Sequence, residues 1–123
     1  MKMIGYFNDP QCMAVAPTMT VHKPKTILQK VQYIEYLFGA LLRKASSFMD
    51  CVHVTPGPFT AYRKVFFEKH GGYAEGNLTE DLEIAMRIQS HNYKIYSTTD
   101  AFVYPPGPSK FNSLFRQRTR WYK

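Results

Sequence analysis

Apolar residues recur at Ile27, Val31, Ile34, Phe38 and Leu41, at intervals of four, three, four and three. That period places one apolar stripe along a helix that opens with Pro24 in its first turn and ends near Lys44. Turn-forming residues cut the rest of the chain into shorter pieces. Upstream, Met13-Ala14-Val15-Ala16 followed by Pro17 reads as a buried strand near a sheet edge, because proline cannot donate to a ladder. Downstream, residues 50 to 55 alternate loosely, Pro56-Gly57-Pro58 marks a turn, and residues 59 to 62 read as another strand. Residues 64 to 70 are predicted to form a short helix closed by Gly71-Gly72 in a left-handed cap. Leu82, Ala85, Met86 and Ile88 have helical spacing, with Asn77 or Thr79 as N-cap and His91-Asn92 as a stop. Two strand-like pieces, 93 to 96 and 101 to 104, flank Thr98-Thr99-Asp100. Pro105-Pro106-Gly107-Pro108 then leads to a final helix capped by Ser109 and marked by Phe111, Leu114, Phe115, Arg118 and Tyr122.

With 123 residues, 45% of them hydrophobic and 20% charged, the chain has the composition of one globular core and not of a disordered or disulfide-dense protein. Sixteen Lys and Arg against nine Asp and Glu leave a net charge of +7, which points to anionic partners. Apolar runs such as residues 36 to 42 are far shorter than the ~18 residues of a membrane span. The first residues lack the apolar stretch and cleavage site of a signal peptide, so the chain is expected to be soluble and to face the cytosol. Cys12 and Cys51 have no metal-ligand spacing and read as buried free thiols. His22, His53, His70 and His91 have no paired spacing and read as surface or loop residues, with no metal site. Tyr33, Tyr36 and Phe38 are explained by packing of the long helix.

Two stretches carry chemistry. Thr79-Glu80-Asp81 sets adjacent carboxylates in the first turn of a helix, after a glycine-bounded loop. Helix-capping physics alone accounts for acids there, since Asn77 and Glu80 have capping-box spacing and the macrodipole favours Asp81. The same environment keeps a carboxylate ionised at neutral pH, ready to accept a proton from a sugar hydroxyl if it faces a cleft. The second stretch, residues 116 to 121, puts Gln117, Arg120 and Trp121 on one helix face. A guanidinium fork matches a diphosphate, an amide adds a hydrogen bond, and an indole offers a flat surface for a pyranose. A solvated basic helix accounts equally for the five cations among the last fifteen residues.

Taken together, Thr79-Glu80-Asp81 and Gln117-Arg118-Thr119-Arg120-Trp121 resemble the TED and Q(Q/R)xRW pair of family 2 glycosyltransferases. The resemblance is to processive, membrane-associated members such as the cellulose, hyaluronan and poly-N-acetylglucosamine synthases. It extends over nearly the whole chain, residues 4 to 20 being similar to the strand region that follows the family's metal-binding DxD and residues 54 to 63 to its acceptor-side glycine strand. It implies an α/β fold: the C-terminal half of a GT-A (Rossmann-like) domain, a mixed sheet flanked by helices, with residues 1–123 forming a single partial catalytic domain. It implies inverting transfer of a sugar from a nucleotide-diphosphate-sugar donor to a glycan or lipid-linked acceptor hydroxyl. Asp81 would be the general base, with Thr79 and Glu80 shaping its turn. Gly57, Gln117, Arg118, Arg120 and Trp121 would form the substrate-binding set, in which Gln117 and Arg120 meet the diphosphate, Trp121 the acceptor sugar, and Gly57 lets backbone approach the acceptor. Pro58 stands where the family often has a small or hydroxyl residue.

The chain has no DxD. By the resemblance, the divalent metal (Mg or Mn) and the nucleotide base belong to a half that would precede Met1, and this chain alone is expected to be inactive. Its partners would include the rest of its own catalytic domain. The sheet edge and apolar face left uncovered favour a homo-oligomer of the fragment. The whole protein would sit on the cytoplasmic face of a membrane, with Phe111, Leu114 and Phe115 beside their cations near its surface. The competing reading is a small non-enzymatic basic module on anionic lipid or nucleic acid. It leaves the Thr79–Asp81 turn unexplained, and no nucleic-acid-recognition signature accompanies the charge.

Overall fold

The computed structural model describes residues 2–56, 58–76 and 79–121. After a 3-10 turn at Ile4–Asn8, the elements in chain order are β1 (Cys12–Met19), α1 (Ile27–Phe48), β2 (Ala61–Tyr62), α2 (Lys64–His70), α3 (Glu80–Ser90), β3 (Lys94–Val103) and α4 (Phe111–Trp121). The three strands form one mixed sheet in the order β2-β1-β3, with β1 antiparallel to β2 and parallel to β3. This is the expected α/β architecture of a mixed sheet flanked by helices.

The strand at residues 12–19 lies at the centre of the sheet and not near its edge. Proline is tolerated there because Pro17 falls where the β1–β3 register shifts between Ala16 and Thr18, while β2 pairs only with Ala14 and Val15. The two strand pieces expected around residues 98–100 are one strand, β3. Ala16 faces Ser97 and Thr18 faces Phe102, so the intervening residues bulge out of the ladder. The bulge is held by Thr18 Oγ1 donating to the Thr98 carbonyl at 2.8 Å and Thr98 Oγ1 donating to Asp100 Oδ1 at 3.0 Å. Side-chain bonds here stand in for ladder bonds across the interval that the sequence reads as a break between two strands. The second predicted strand shortens to Ala61–Tyr62, and α2 forms where expected. Gly71 closes α2 at φ 83°, a backbone angle that a side chain would strain.

Helix α1 begins one turn later than the sequence suggests. Thr26 accepts from Gln29 N, and the Gln29 side chain accepts from Thr26 N, a reciprocal capping box. Its apolar stripe turns away from the sheet: Ile27, Val31, Ile34, Phe38 and Leu41 are all more than half exposed. Such a stripe ordinarily faces a core. Here the buried face is Gln32, Tyr36, Ala40 and Ser47. Of their polar groups, Gln32 Nε2 donates to the Pro108 carbonyl at 3.0 Å and Ser47 Oγ to the Lys44 carbonyl at 3.0 Å, while Gln32 Oε1 is buried without a hydrogen-bond partner; neighbouring Lys44 Nζ donates to the Ser97 carbonyl at 2.9 Å.

The core cluster joins Met13 and Ala14 of β1 to Val52, Phe66, Ile84, Ala85, Ile88 and Ile95, and no residue of α1 belongs to it. Thus α2 and α3 are sealed to the sheet while α1 presents apolar surface outward. Arg63 ties the N-terminal turn to this unit, its Nε donating to the Cys12 carbonyl and its Nη2 to the Phe7 and Asp9 carbonyls. Cys12 is buried as expected, and burial pushes its thiol up to about 11. Cys51 is exposed, contrary to the sequence reading, because the chain has left α1 for a segment without regular structure.

Two histidines with no sequence relationship meet in space. The rings of His70, at the end of α2, and His91, after α3, lie 4.0 Å apart beside Phe66 and Tyr93. Burial, then the charges of His91, Lys69 and Arg87, hold the His70 ring below the usual imidazole range. A His whose folded value is depressed takes up its proton more readily when unfolded. Its stabilising effect is therefore complete above the unfolded value of about 6.5 and is lost as pH falls through the folded value. Urea titrations are expected to give a lower midpoint at pH 5 than at pH 7.5, and His70→Gln should flatten this difference. An equally steep pH dependence in the variant would assign the effect elsewhere.

Candidate active site

The acidic turn forms as the sequence requires. Helix α3 starts at Glu80 with Thr79 as N-cap, so Glu80, Asp81 and Glu83 all lie in its first turn. The Thr79 side chain makes no capping hydrogen bond. Asn77, the other N-cap candidate and half of the expected capping box, lies outside the described residues, as does Gly57.

The position of Asp81 is set from below by Thr55, whose side chain is completely buried. Thr55 Oγ1 donates to the Asp81 carbonyl at 3.1 Å and lies within hydrogen-bond distance, 3.0 Å, of the Tyr62 hydroxyl. Thr55 N also points to the Asp81 carbonyl, at 3.5 Å. The start of α3 is thus bonded to the segment before Pro56 and, through Tyr62, to β2. Burial, with smaller contributions from Tyr73 and the Asp81 carboxylate, pushes the Tyr62 hydroxyl up and keeps it neutral. Tyr62, Phe67 and Tyr73 form an aromatic group with centroids 5.4–6.1 Å apart, Tyr62 meeting the other two rings edge-on. Tyr73 remains about half exposed. An ionisable carboxylate beside an aromatic surface is an arrangement suited to a sugar.

At the other end of the α3 turn, Arg87 braces the glycine loop. Its Nη1 donates to the His70 carbonyl at 2.8 Å, its Nη2 to the Gly72 carbonyl at 2.6 Å, and its Nε lies 3.1 Å from Glu83 Oε1. Sequence reasoning missed Thr55, Tyr62, Tyr73 and Arg87. A hydroxyl two residues before Gly57 was the only local signal for Thr55, and the others act through tertiary contacts.

Helix α4 has no buried residue among those described and is held by side chains at its two ends. Gln32 grips Pro108 ahead of it, and Arg118 Nη2 lies 2.6 Å from Glu35 Oε2 on α1. The Arg118 guanidinium also lies over the Trp121 ring at 4.4 Å, while Trp121 and Arg120 are exposed. Gln117 is half-buried, and its Oε1 has no hydrogen-bond partner. Arg118 and Trp121 are therefore brought together, as are Thr79, Glu80 and Asp81. The two groups have different anchors, Thr55 and Tyr62 for the acidic turn and α1 for the Gln117–Trp121 helix.

The sequence profile of the family described as Glycosyl transferase family group 2 matches residues 8–123. The chain belongs to glycosyl transferase family group 2. Within that family it is 27% identical over 119 residues to the poly-beta-1,6-N-acetyl-D-glucosamine synthase of Staphylococcus aureus (strain COL), an alignment covering 95% of this chain and 29% of that protein. To the synthase of the same name from Staphylococcus epidermidis (strain ATCC 35984) it is 25% identical over 116 residues, covering 93% of this chain and 28% of the relative. The chain therefore spans less than a third of the length of these curated relatives. Its family membership agrees with an α/β sheet of this kind as part of a GT-A domain.

The family implies a divalent metal. Among the described residues no three His, Cys, Asp or Glu side chains gather into a group able to hold one. The described residues therefore do not fit a metal. No helix among the described residues is long and apolar enough to cross a membrane.

Proposed function

We propose that the protein carrying this chain transfers a sugar from a nucleotide-diphosphate sugar to a hydroxyl of a growing glycan or lipid-linked acceptor, with inversion, at a membrane surface. The observation that carries this reading is the Asp81 turn, locked at its carbonyl by Thr55 beside Tyr62 and Tyr73 in a chain of this family. Asp81 takes the proton from the acceptor oxygen as that oxygen attacks the anomeric carbon, and the donor's diphosphate leaves. Exposed Arg120 and the amide N–H group of half-buried Gln117 supply the donors that meet the diphosphate. Trp121 offers its ring to the acceptor sugar. Glu80, exposed at the helix start, shapes the turn electrostatically, and Gly57, by lacking a side chain, would let the backbone approach the acceptor. The names of the relatives favour N-acetylglucosamine as the sugar.

Titrating the chain with a nucleoside diphosphate and with a random oligonucleotide, each at low and high salt, tests this reading against a basic module. Saturable diphosphate binding is expected. Preferential oligonucleotide binding that collapses steeply with salt would reject the transferase site in favour of a polyanion surface.

The residues 1–123 unit is proposed to be one part of a larger catalytic domain whose remaining portion covers the exposed α1 stripe and a sheet edge. By itself the chain should self-associate through these surfaces. Light scattering behind size exclusion is expected to give a mass that rises with loading, and a concentration-independent monomer would contradict this.

A further inference from the structure

The tether between α1 and the end of α4 has a consequence for the one tryptophan in the chain. Glu35 Oε2 and Arg118 Nη2 are 2.6 Å apart, and the pair is partly shielded, with the Arg118 side chain 23% and the Glu35 side chain 51% exposed. The guanidinium carbon lies 4.4 Å from the Trp121 ring centroid. A guanidinium is a planar fork: it can bond a carboxylate through its edge while its flat surface rests on an aromatic ring. Arg118 does both. One face of the indole is thereby occupied, and 41% of Trp121 remains exposed to receive a ligand.

We propose that Glu35 is a positioning residue for sugar binding: through Arg118 it holds the Trp121 indole with one face covered and the other open to a pyranose. The inference rests on the reading of Trp121 as the acceptor-sugar surface. It assigns Arg118 a role distinct from that of Arg120, because its donors are directed to Glu35 and its plane to Trp121, whereas Arg120 is exposed. A helix with no fully buried residue among those described depends on such contacts for its orientation, since little apolar packing fixes its rotation. Losing the carboxylate frees a long side chain to leave the ring, and the indole then samples several orientations.

The sole tryptophan makes this directly measurable in the full 123-residue chain. Glu35→Gln is expected to red-shift Trp121 emission and to increase its quenching by acrylamide, with the far-ultraviolet circular dichroism unchanged. Glu35→Asp, which keeps the charge, should restore most of the wild-type signal. Affinity for a β-1,6-linked tri-N-acetylglucosamine, followed by the same fluorescence, should fall about threefold to tenfold in Glu35→Gln. Wild-type emission and quenching in Glu35→Gln would overturn the tether. Altered quenching in a chain whose wild type shows no response to the trisaccharide would instead uphold the tether and overturn the sugar-binding reading on which its function rests.

Discussion

Replacing Asp81 by Asn is expected to lower sugar transfer by about two to four orders of magnitude, the usual contribution of a positioned general base. Donor binding should stay within a factor of about two, because no diphosphate contact is assigned to this side chain. The substitution is well suited to the question. Asn has nearly the same shape, and the bond that fixes this position is made by the backbone carbonyl to Thr55, so it survives the change. The lost negative charge at a helix N-terminus costs about 0.3–1 kcal/mol, too little to unfold the unit. Glu80→Gln, one residue away and exposed, should retain most of the activity. The measurement is incorporation of labelled sugar by the protein that carries this chain, together with donor binding by calorimetry. Turnover at the normal rate in Asp81→Asn would remove the base from the proposed mechanism.

Phe66→Ala should produce the largest loss of stability, about 3–5 kcal/mol. Phe66 is 1% exposed and sits where α2 meets the core of β1, α3 and β3. Its ring touches those of Phe67, His70, His91 and Tyr93, and the Arg87 guanidinium lies 5.8 Å from it. Truncation leaves a cavity that these rigid rings cannot collapse to fill. It also loosens the brace that Arg87 extends to the Gly72 loop ahead of the acidic turn. Against a total of about 5–15 kcal/mol for a domain, the variant should melt far lower than the wild type or lose its cooperative transition. A denaturant midpoint corresponding to less than about 1 kcal/mol of change would show that the Phe66 site repacks, contrary to the close packing described.

The candidate site shows how far local sequence reaches. The first-turn carboxylates were legible because a helix start depends on residues within one turn of it, and Thr79 is the N-cap in the structure as it was among the candidates. What holds Asp81 in place was not legible. Thr55 lies 26 residues upstream, and its buried hydroxyl carries no pattern that distinguishes it from any other threonine. The same is true of Arg118, which the sequence places in a basic run and the structure pairs with Glu35, 83 residues away. The meeting of His70 and His91 likewise depends on two helix ends converging on Phe66.

Residue order by itself determined the short-range features of this protein: the strand at residues 12–19, the helix Lys64–His70 ended by Gly71, the acidic start of α3, and a cationic last helix. Each follows from steric and electrostatic preferences among neighbours along the chain. Tertiary structure alone decided which way α1 faces, since its period is read equally well with the stripe inward or outward. Small Ala40 is buried, Gln32 Nε2 is bonded to Pro108 and Lys44 Nζ to Ser97 of β3, and the apolar stripe is left to solvent. It also decided that Pro17 could occupy a central strand and that Cys51 is exposed. Those outcomes depend on which strands pair and where the register shifts, and pairing free energies between distant segments leave no periodic trace in a single sequence.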